Sequence, residues 1–278
     1  MSVLIDCLSN WLDIRRCSSP LVVSFPHAGT KLPQDMPPDF LKECDPLADT
    51  DWHVDELVFP VVPEDATIIR TSISRSVIDV NRPRDNSSLY SGAAGTSLCP
   101  VTDFDGNSLY ARENVPSPEQ IESRTVRYYD PFHAALTEEL VATRERCGIA
   151  ILIDFHSIRP RVERLFDGYL PALNIGSNSG RSCAAGLTAG IADVCRQSPF
   201  TWVLDGRFKG GWITRHHGKP GDNVHAVQIE IAMNAYLQRD LPTDYARPKW
   251  RPDAARLLQT TLTEILKAGR EFADAQQP

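Results

Sequence analysis

The chain has 278 residues, 42% of them hydrophobic and 23% charged, and a formal net charge of −7. No run approaches eighteen uninterrupted apolar residues, which argues against a membrane-spanning helix, and the acidic balance disfavours nonspecific nucleic-acid binding, a partnership that rewards a basic face. The length suits one large α/β domain or two small ones; with no repeat, low-complexity block or long linker, a single domain over residues 1–278 is expected.

The opening stretch, MSVLIDCLSNWLDIRR, lacks a basic leader followed by an apolar run and a cleavage site, so a cytoplasmic location is expected. Seven scattered cysteines show neither CxxC spacing nor the density of a disulfide scaffold and read as reduced, packing thiols.

The first strand pattern is PLVVSF (20–25), an apolar, β-branched run followed by a Gly/Pro-rich loop. His27, in SFPHAGTKLP, falls where a side chain leaves the strand. Next comes LADTDWHVDEL, which offers Asp49, Asp51, Asp55 and Glu56. A second strand pattern, ATIIRTSI (66–73), leads into SRSVIDVNRP with Arg75, Asp79, Asn81 and Arg82. Guanidinium groups bind carboxylates through paired hydrogen bonds, so this segment suits an acidic substrate, although any one such arginine is more often a solvated surface charge.

A helical pattern runs over 118–147, with acids early and arginines late as the helix dipole prefers, and Pro131 is expected to kink it or to start a new helix. The third strand pattern, GIAILIDF (148–155), is followed directly by His156, with Asp154 two residues earlier on the same face. A further helix is expected over 181–196. The segment DGRFKGGWITRHHG reads as a mobile loop carrying Arg207, Lys209, Arg215, His216 and His217; its glycines match neither nucleotide-binding pattern, so ATP and NAD have no support. A fourth strand pattern, HAVQIEIA (225–232), holds Glu230 on an apolar face, and the last helix is expected over 253–275.

Strands alternating with helices imply a three-layer α/β/α fold with a mixed, mostly parallel sheet, whose functional side chains gather beyond the carboxyl ends of the strands. His27 and His156 can therefore converge. Each alone is more often a hydrogen-bonded structural histidine, but together with an acid cluster they match a catalytic zinc site of two imidazoles and one carboxylate. Asp51 is the preferred third ligand, and Asp49, Asp55 and His53 are read as structural. A carboxylate at Glu230 is costly in an apolar strand unless it has a partner or a task; beside a metal-activated water it can act as the proton carrier, and the plain alternative is a buried salt bridge.

The stretches SFPHAGTKLP, DTDWHVDEL, SRSVIDVNRP, TSLCPVTDFDGNSLY, DFHSIRP, RLFDGYLPALNIGSN, DGRFKGGWITRHHG and AVQIEIAMNAYL occur in this order over about residues 20–240, and together they resemble the N-formylglutamate amidohydrolase (deformylase) family. The resemblance implies a phosphorylase/hydrolase-like, zinc carboxypeptidase-like α/β fold. It also implies hydrolysis of N-formyl-L-glutamate to formate and L-glutamate in histidine degradation, with one Zn2+ or another divalent ion. The carboxypeptidase HxxE pattern is absent, because Thr30 stands three residues after His27; the carboxylate ligand is then Asp51, with Glu56 second and Asp49 a further alternative. By the same resemblance Asn81 and Arg82 look like the pair that grips a substrate carboxylate, and Glu230 like the residue that assists the water. Arg75, Arg207, Arg215 and His216 are the remaining candidates for substrate contacts. The rival readings are a zinc amidohydrolase for another N-acyl amino acid and a noncatalytic binder of small acids on the same fold. Homo-oligomerisation is plausible for an enzyme of this size.

Overall fold

The computed structural model describes residues 5–34, 38–88, 96–238 and 247–276. Its strands are β1 (Ile5–Ser9), β2 (Leu12–Arg15), β3 (Leu21–Phe25), β4 (Thr67–Thr71), β5 (Ala150–Ile158), β6 (Leu173–Gly176), β7 (Trp202–Leu204) and β8 (Val224–Ala232). All eight share one sheet in the order β1-β2-β4-β3-β5-β8-β6-β7. Parallel pairing joins β3 to β4 and β5, β5 to β8, and β6 to β7, while the other three pairings are antiparallel. The sheet is therefore mixed and mostly parallel.

The helices are α1 (Val54–Val58), α2 (Pro118–Arg124), α3 (Asp130–Cys147), α4 (Ala185–Gln197), α5 (Trp212–His217) and α6 (Pro252–Asp274). Strand alternation splits the core in two. Leu21, Val23, Phe25, Ile151, Ile153, Phe155, Val227 and Ile229 face one way, against Leu258, Leu262, Ile265 and Leu266 of α6 and Leu187 and Ile191 of α4. Val22, Ala150, Leu152 and Ala226 face the other, against Phe132, Leu136 and Leu140 of α3. Burial on both faces is why the central strands read as continuous apolar runs rather than alternating ones.

The four strand patterns match β3, β4, β5 and β8. One boundary differs with consequence: β5 continues to Ile158, because β8 pairs with it from Ala150↔Val224 through Ile158↔Ala232. His156 thus lies within a strand, whereas His27 lies two residues beyond one. The expected helix over 118–147 is two helices joined by a π-helical turn at Thr125–Tyr129. Pro131 lacks an N–H and crowds the preceding turn, and the wider turn accommodates it. Ser117 and Gln120 start α2 with reciprocal side-chain to backbone bonds. The helix expected from 181 begins at 185, since Ser182 bonds instead to Ser177 and Ala226. Residues 212–217 form α5 rather than loop, with Ile213, Thr214 and His217 buried. The last helix, α6, matches its expected span to within one residue at each end.

No helix among the described residues is long and apolar enough to cross a membrane.

Candidate metal and hydrolase site

On the α3 side of the sheet, the central strands change character at their carboxyl ends. Val22 gives way to Ser24 in β3, Leu152 to Asp154 and His156 in β5, and Ala226 to Gln228 and Glu230 in β8. The register sets them side by side: Ser24↔Asp154 and Asp154↔Gln228, then His156↔Glu230 and Asn174↔Glu230. A polar floor results at the place where open α/β sheets put their ligands.

Loops supply the rest. His27 follows β3, and the Asp51 amide donates to its carbonyl at 3.1 Å, drawing the acidic loop across the strand ends. The segment after β4 contributes Arg75, Asp79 and Asn81, all buried.

The two imidazoles are held alike. Nε2 of His27 contacts Asp79 Oδ1 at 2.7 Å, and Nε2 of His156 contacts Asp154 Oδ2 at 2.9 Å. Asp154 also accepts the hydroxyl of Ser24. Both Nδ1 atoms then face Asp51, whose Oδ2 lies 3.0 Å from that of His156 and 3.8 Å from that of His27. A carboxylate behind each imidazole fixes ring orientation and raises its strength as a ligand.

Three features fit a divalent cation at this point. Ligand atoms of His27, Asp51 and His156 lie within 4.8 Å of one another. Buried Nδ1 of His27 has no hydrogen-bond partner among the described residues. Three buried carboxyl groups, those of Asp51, Asp79 and Asp154, gather here. Arg75 pairs with the first two, Arg82 lies 4.0 Å from Asp79, and Asp154 contacts His156 and Ser24, a concentration of negative charge that a cation helps to balance.

Electrostatics follow from this packing. Burial, with Arg75 nearby, pushes the His27 pKa down, the direction that favours the neutral ring. Burial also works against the charged form of His156, but Asp154 and Asp51 outweigh it and hold the imidazole well above its usual value without a metal. Asp51 is lowered despite burial by the bond from His156 and by the charges around it. Asp79 is lowered well below the carboxylate range, its contacts with His27, Arg75 and Arg82 overcoming burial. Glu230 goes the other way: burial pushes it up to about 8.

The acidic cluster is sorted by position. Asp49 accepts the Phe104 amide at 2.7 Å and is raised to about 7 by burial. Asp55 pairs with Arg70 at 2.8 Å. Glu56 is about half exposed and pairs with Arg247. Asp51 alone of the four is grouped with both histidines.

A cavity of about 300 Å³ opens onto His27, His156 and Glu230. It lies at the small end of the range of ligand sites, roughly 300–1,000 Å³. Arg75, Asn81, Arg82 and Arg207 line it too, as do Phe104, Ile158, Leu165 and Phe208 on an apolar wall. Arg75 is committed to Asp51 at 3.3 Å and Asp79 at 2.8 Å. Arg82 is oriented by Thr96 and by the Asn81 carbonyl, and Arg207 donates to the Leu165 carbonyl at 2.6 Å. Arg215 and His216 are outside this lining: Arg215 donates to Gly210 O at 2.9 Å, and His216 stacks on Trp212 at 4.8 Å.

Sequence reading gave no role to Asp79, Ser24 or Gln228. Spacing held a signal for each: Asp79 is four residues after Arg75, Gln228 is two before Glu230 on one strand face, and Ser24 is the one polar residue in the otherwise apolar strand β3.

The family model described as N-formylglutamate amidohydrolase matches residues 19–237. N-formylglutamate deformylase of Pseudomonas aeruginosa is 40% identical over 265 residues, covering 94% of this chain and 97% of that protein. The N-formylglutamate deformylase of Pseudomonas putida is likewise 40% identical, over 90% of this chain and 91% of its own length. In fold, a crystal structure of N-formylglutamate amidohydrolase from Ralstonia eutropha superposes with a TM-score of 0.77 at 24% identity, covering 96% of this chain and 98% of the other.

Proposed function

The chain belongs to the N-formylglutamate amidohydrolase family, and we propose that it hydrolyses N-formyl-L-glutamate to formate and L-glutamate, using a zinc ion held by His27, Asp51 and His156. The observation that carries this reading is the pair of carboxylate-backed imidazoles turned with Asp51 toward one point, beside Glu230 and at the inner end of a small cavity. Zinc bound there supplies Lewis acidity, polarising the formyl carbonyl and making water nucleophilic at neutral pH.

The protein's own groups do the rest. Glu230 takes the proton of the attacking water and delivers it to the leaving nitrogen, so that L-glutamate departs as an amine and the formyl carbon as formate. Its carboxyl, raised to about 8 by burial in the metal-free chain, must ionise to do so. The charges of His156 and Arg75 oppose the burial effect, in the direction a base requires. Arg82, with its fork oriented by Thr96, takes one substrate carboxylate, and Arg207, which also lines the cavity, takes the second. Asn81 lines the cavity with its amide nitrogen 3.1 Å from His156 Nε2, and Arg75 helps keep Asp51 and Asp79 ionised. The apolar wall of Phe104, Ile158, Leu165 and Phe208 packs on the methylenes between the carboxylates and limits water.

Formate release from N-formyl-L-glutamate, measured beside acetate release from N-acetyl-L-glutamate, tests the substrate. The formyl compound is expected to be turned over far faster. Preference for the acetyl compound would transfer the assignment to another N-acyl amino acid.

A further inference from the structure

We propose that Gln228 is a positioning residue for Glu230: clamped by the backbone of the Gly210–Gly211 turn, its side-chain amide holds one carboxylate oxygen and leaves the other for proton transfer. The proposal rests on the hydrolytic reading above and adds to it the device that aims its proton carrier.

Gln228 is buried in the middle of β8, where an amide is costly unless both of its ends are paired. Both are. Gly211 N donates to Gln228 Oε1 at 2.7 Å, and Gln228 Nε2 donates to Glu230 Oε2 at 3.0 Å. A backbone N–H can only donate, so the Gly211 contact identifies the oxygen of the amide and turns its NH2 toward Glu230. The direction of this bond is thereby set by the main chain rather than by a rotatable group.

The main chain at that point is itself fixed. Gly210 has φ +99°, a conformation that suits glycine, and a Cβ at Gly211 would meet the Asn81 amide at 2.3 Å. Only a chain without side chains here can lie this close to both Asn81 and Gln228. Ile213 N donates to Asn81 Oδ1 at 2.8 Å, holding α5 against the loop after β4. At the far end of α5, His217 contacts His133 at 3.1 Å, and His133 in turn bonds the Val80 carbonyl at 2.8 Å. Glu230, with three rotatable side-chain bonds, thus has one oxygen tied through Gln228 to a turn pinned on both sides. Such pre-set geometry matters where a proton must move over hydrogen-bond distance, since a displacement of about 1 Å can cost on the order of 100-fold in rate.

The test uses full-length, zinc-loaded enzyme carrying Gln228→Leu or Gln228→Met, which keep the bulk and remove the hydrogen bonds. With N-formyl-L-glutamate, kcat is expected to fall roughly 10- to 100-fold, while KM and zinc content stay at wild-type values. Adding Gln228→Leu to Glu230→Gln is expected to cause no further loss, because the amide acts only through the carboxylate. Wild-type kcat in the single variants, an equal loss in both backgrounds, or failure of both variants to fold would overturn the positioning role. The two readings separate cleanly: full activity in Glu230→Gln removes the proton carrier itself, whereas its collapse beside a fully active Gln228→Leu removes only this inference.

Discussion

Replacing Glu230 with glutamine is expected to lower kcat by roughly 10²- to 10⁴-fold, the span typical of a lost general acid–base group. The substitution keeps shape and hydrogen-bonding capacity, and Glu230 lies outside the His27, Asp51 and His156 group, so zinc content and KM should hold. The effect belongs in kcat because the proton is in motion only in the transition state. Rapid-quench or steady-state formate assays, with zinc measured by mass spectrometry, give both numbers. An unchanged kcat would return Glu230 to a structural role in β8.

The second large effect concerns the carboxylate ligand. Asp51→Ala is expected to abolish zinc retention and also to weaken the metal-free fold by about 3–5 kcal/mol, the usual consequence of breaking a buried charge pair. Asp51 is 1% exposed; it accepts from Arg75, Ser157 N and His156, and its removal leaves a buried guanidinium and imidazole short of a partner. Glu56→Ala is the control. Glu56 is about half exposed, with Arg247 and His53 as partners, so its loss should leave zinc content unchanged and alter stability by no more than about 1 kcal/mol. Urea unfolding in the presence of chelator separates the fold term from the metal term. Zinc loss in Glu56→Ala with retention in Asp51→Ala would reverse the ligand assignment.

Legibility of the fold tracked burial. Strands β3, β4, β5 and β8 were readable because both their faces are covered, which writes β-branched runs into the sequence. The outer strands were not: β6 and β7 have four and three residues, and the β1–β2 hairpin is too short to show a clear alternation. Helix α5 was hidden by the glycines before it and the polar residues within it, and its single buried stripe of Ile213, Thr214 and His217 is too brief for periodicity.

For the candidate site, the chemistry-bearing pairs could be read where strand alternation fixes direction. Asp154 and His156 share a face of β5, and Glu230 faces the same side from β8. The choice of Asp51 over its neighbours in LADTDWHVDEL could not be derived from spacing, because it depends on how a loop crosses from one strand end to another. Contacts between distant segments were equally hidden. His27 to Asp79 spans 52 positions and Ile213 to Asn81 spans 132. Cationic residues near glycines suggested contacts for Arg215 and His216, but helix formation turned Arg215 back on the Gly210 carbonyl and stacked His216 on Trp212.

Formate release from N-formyl-L-glutamate through a cycle of chelation and zinc return tests metal-dependent deformylation directly. Turnover is expected to vanish on chelation and to return in full at one zinc per chain, with no return in His156→Ala. Turnover that survives complete metal removal, or no formate at any zinc content, would contradict it.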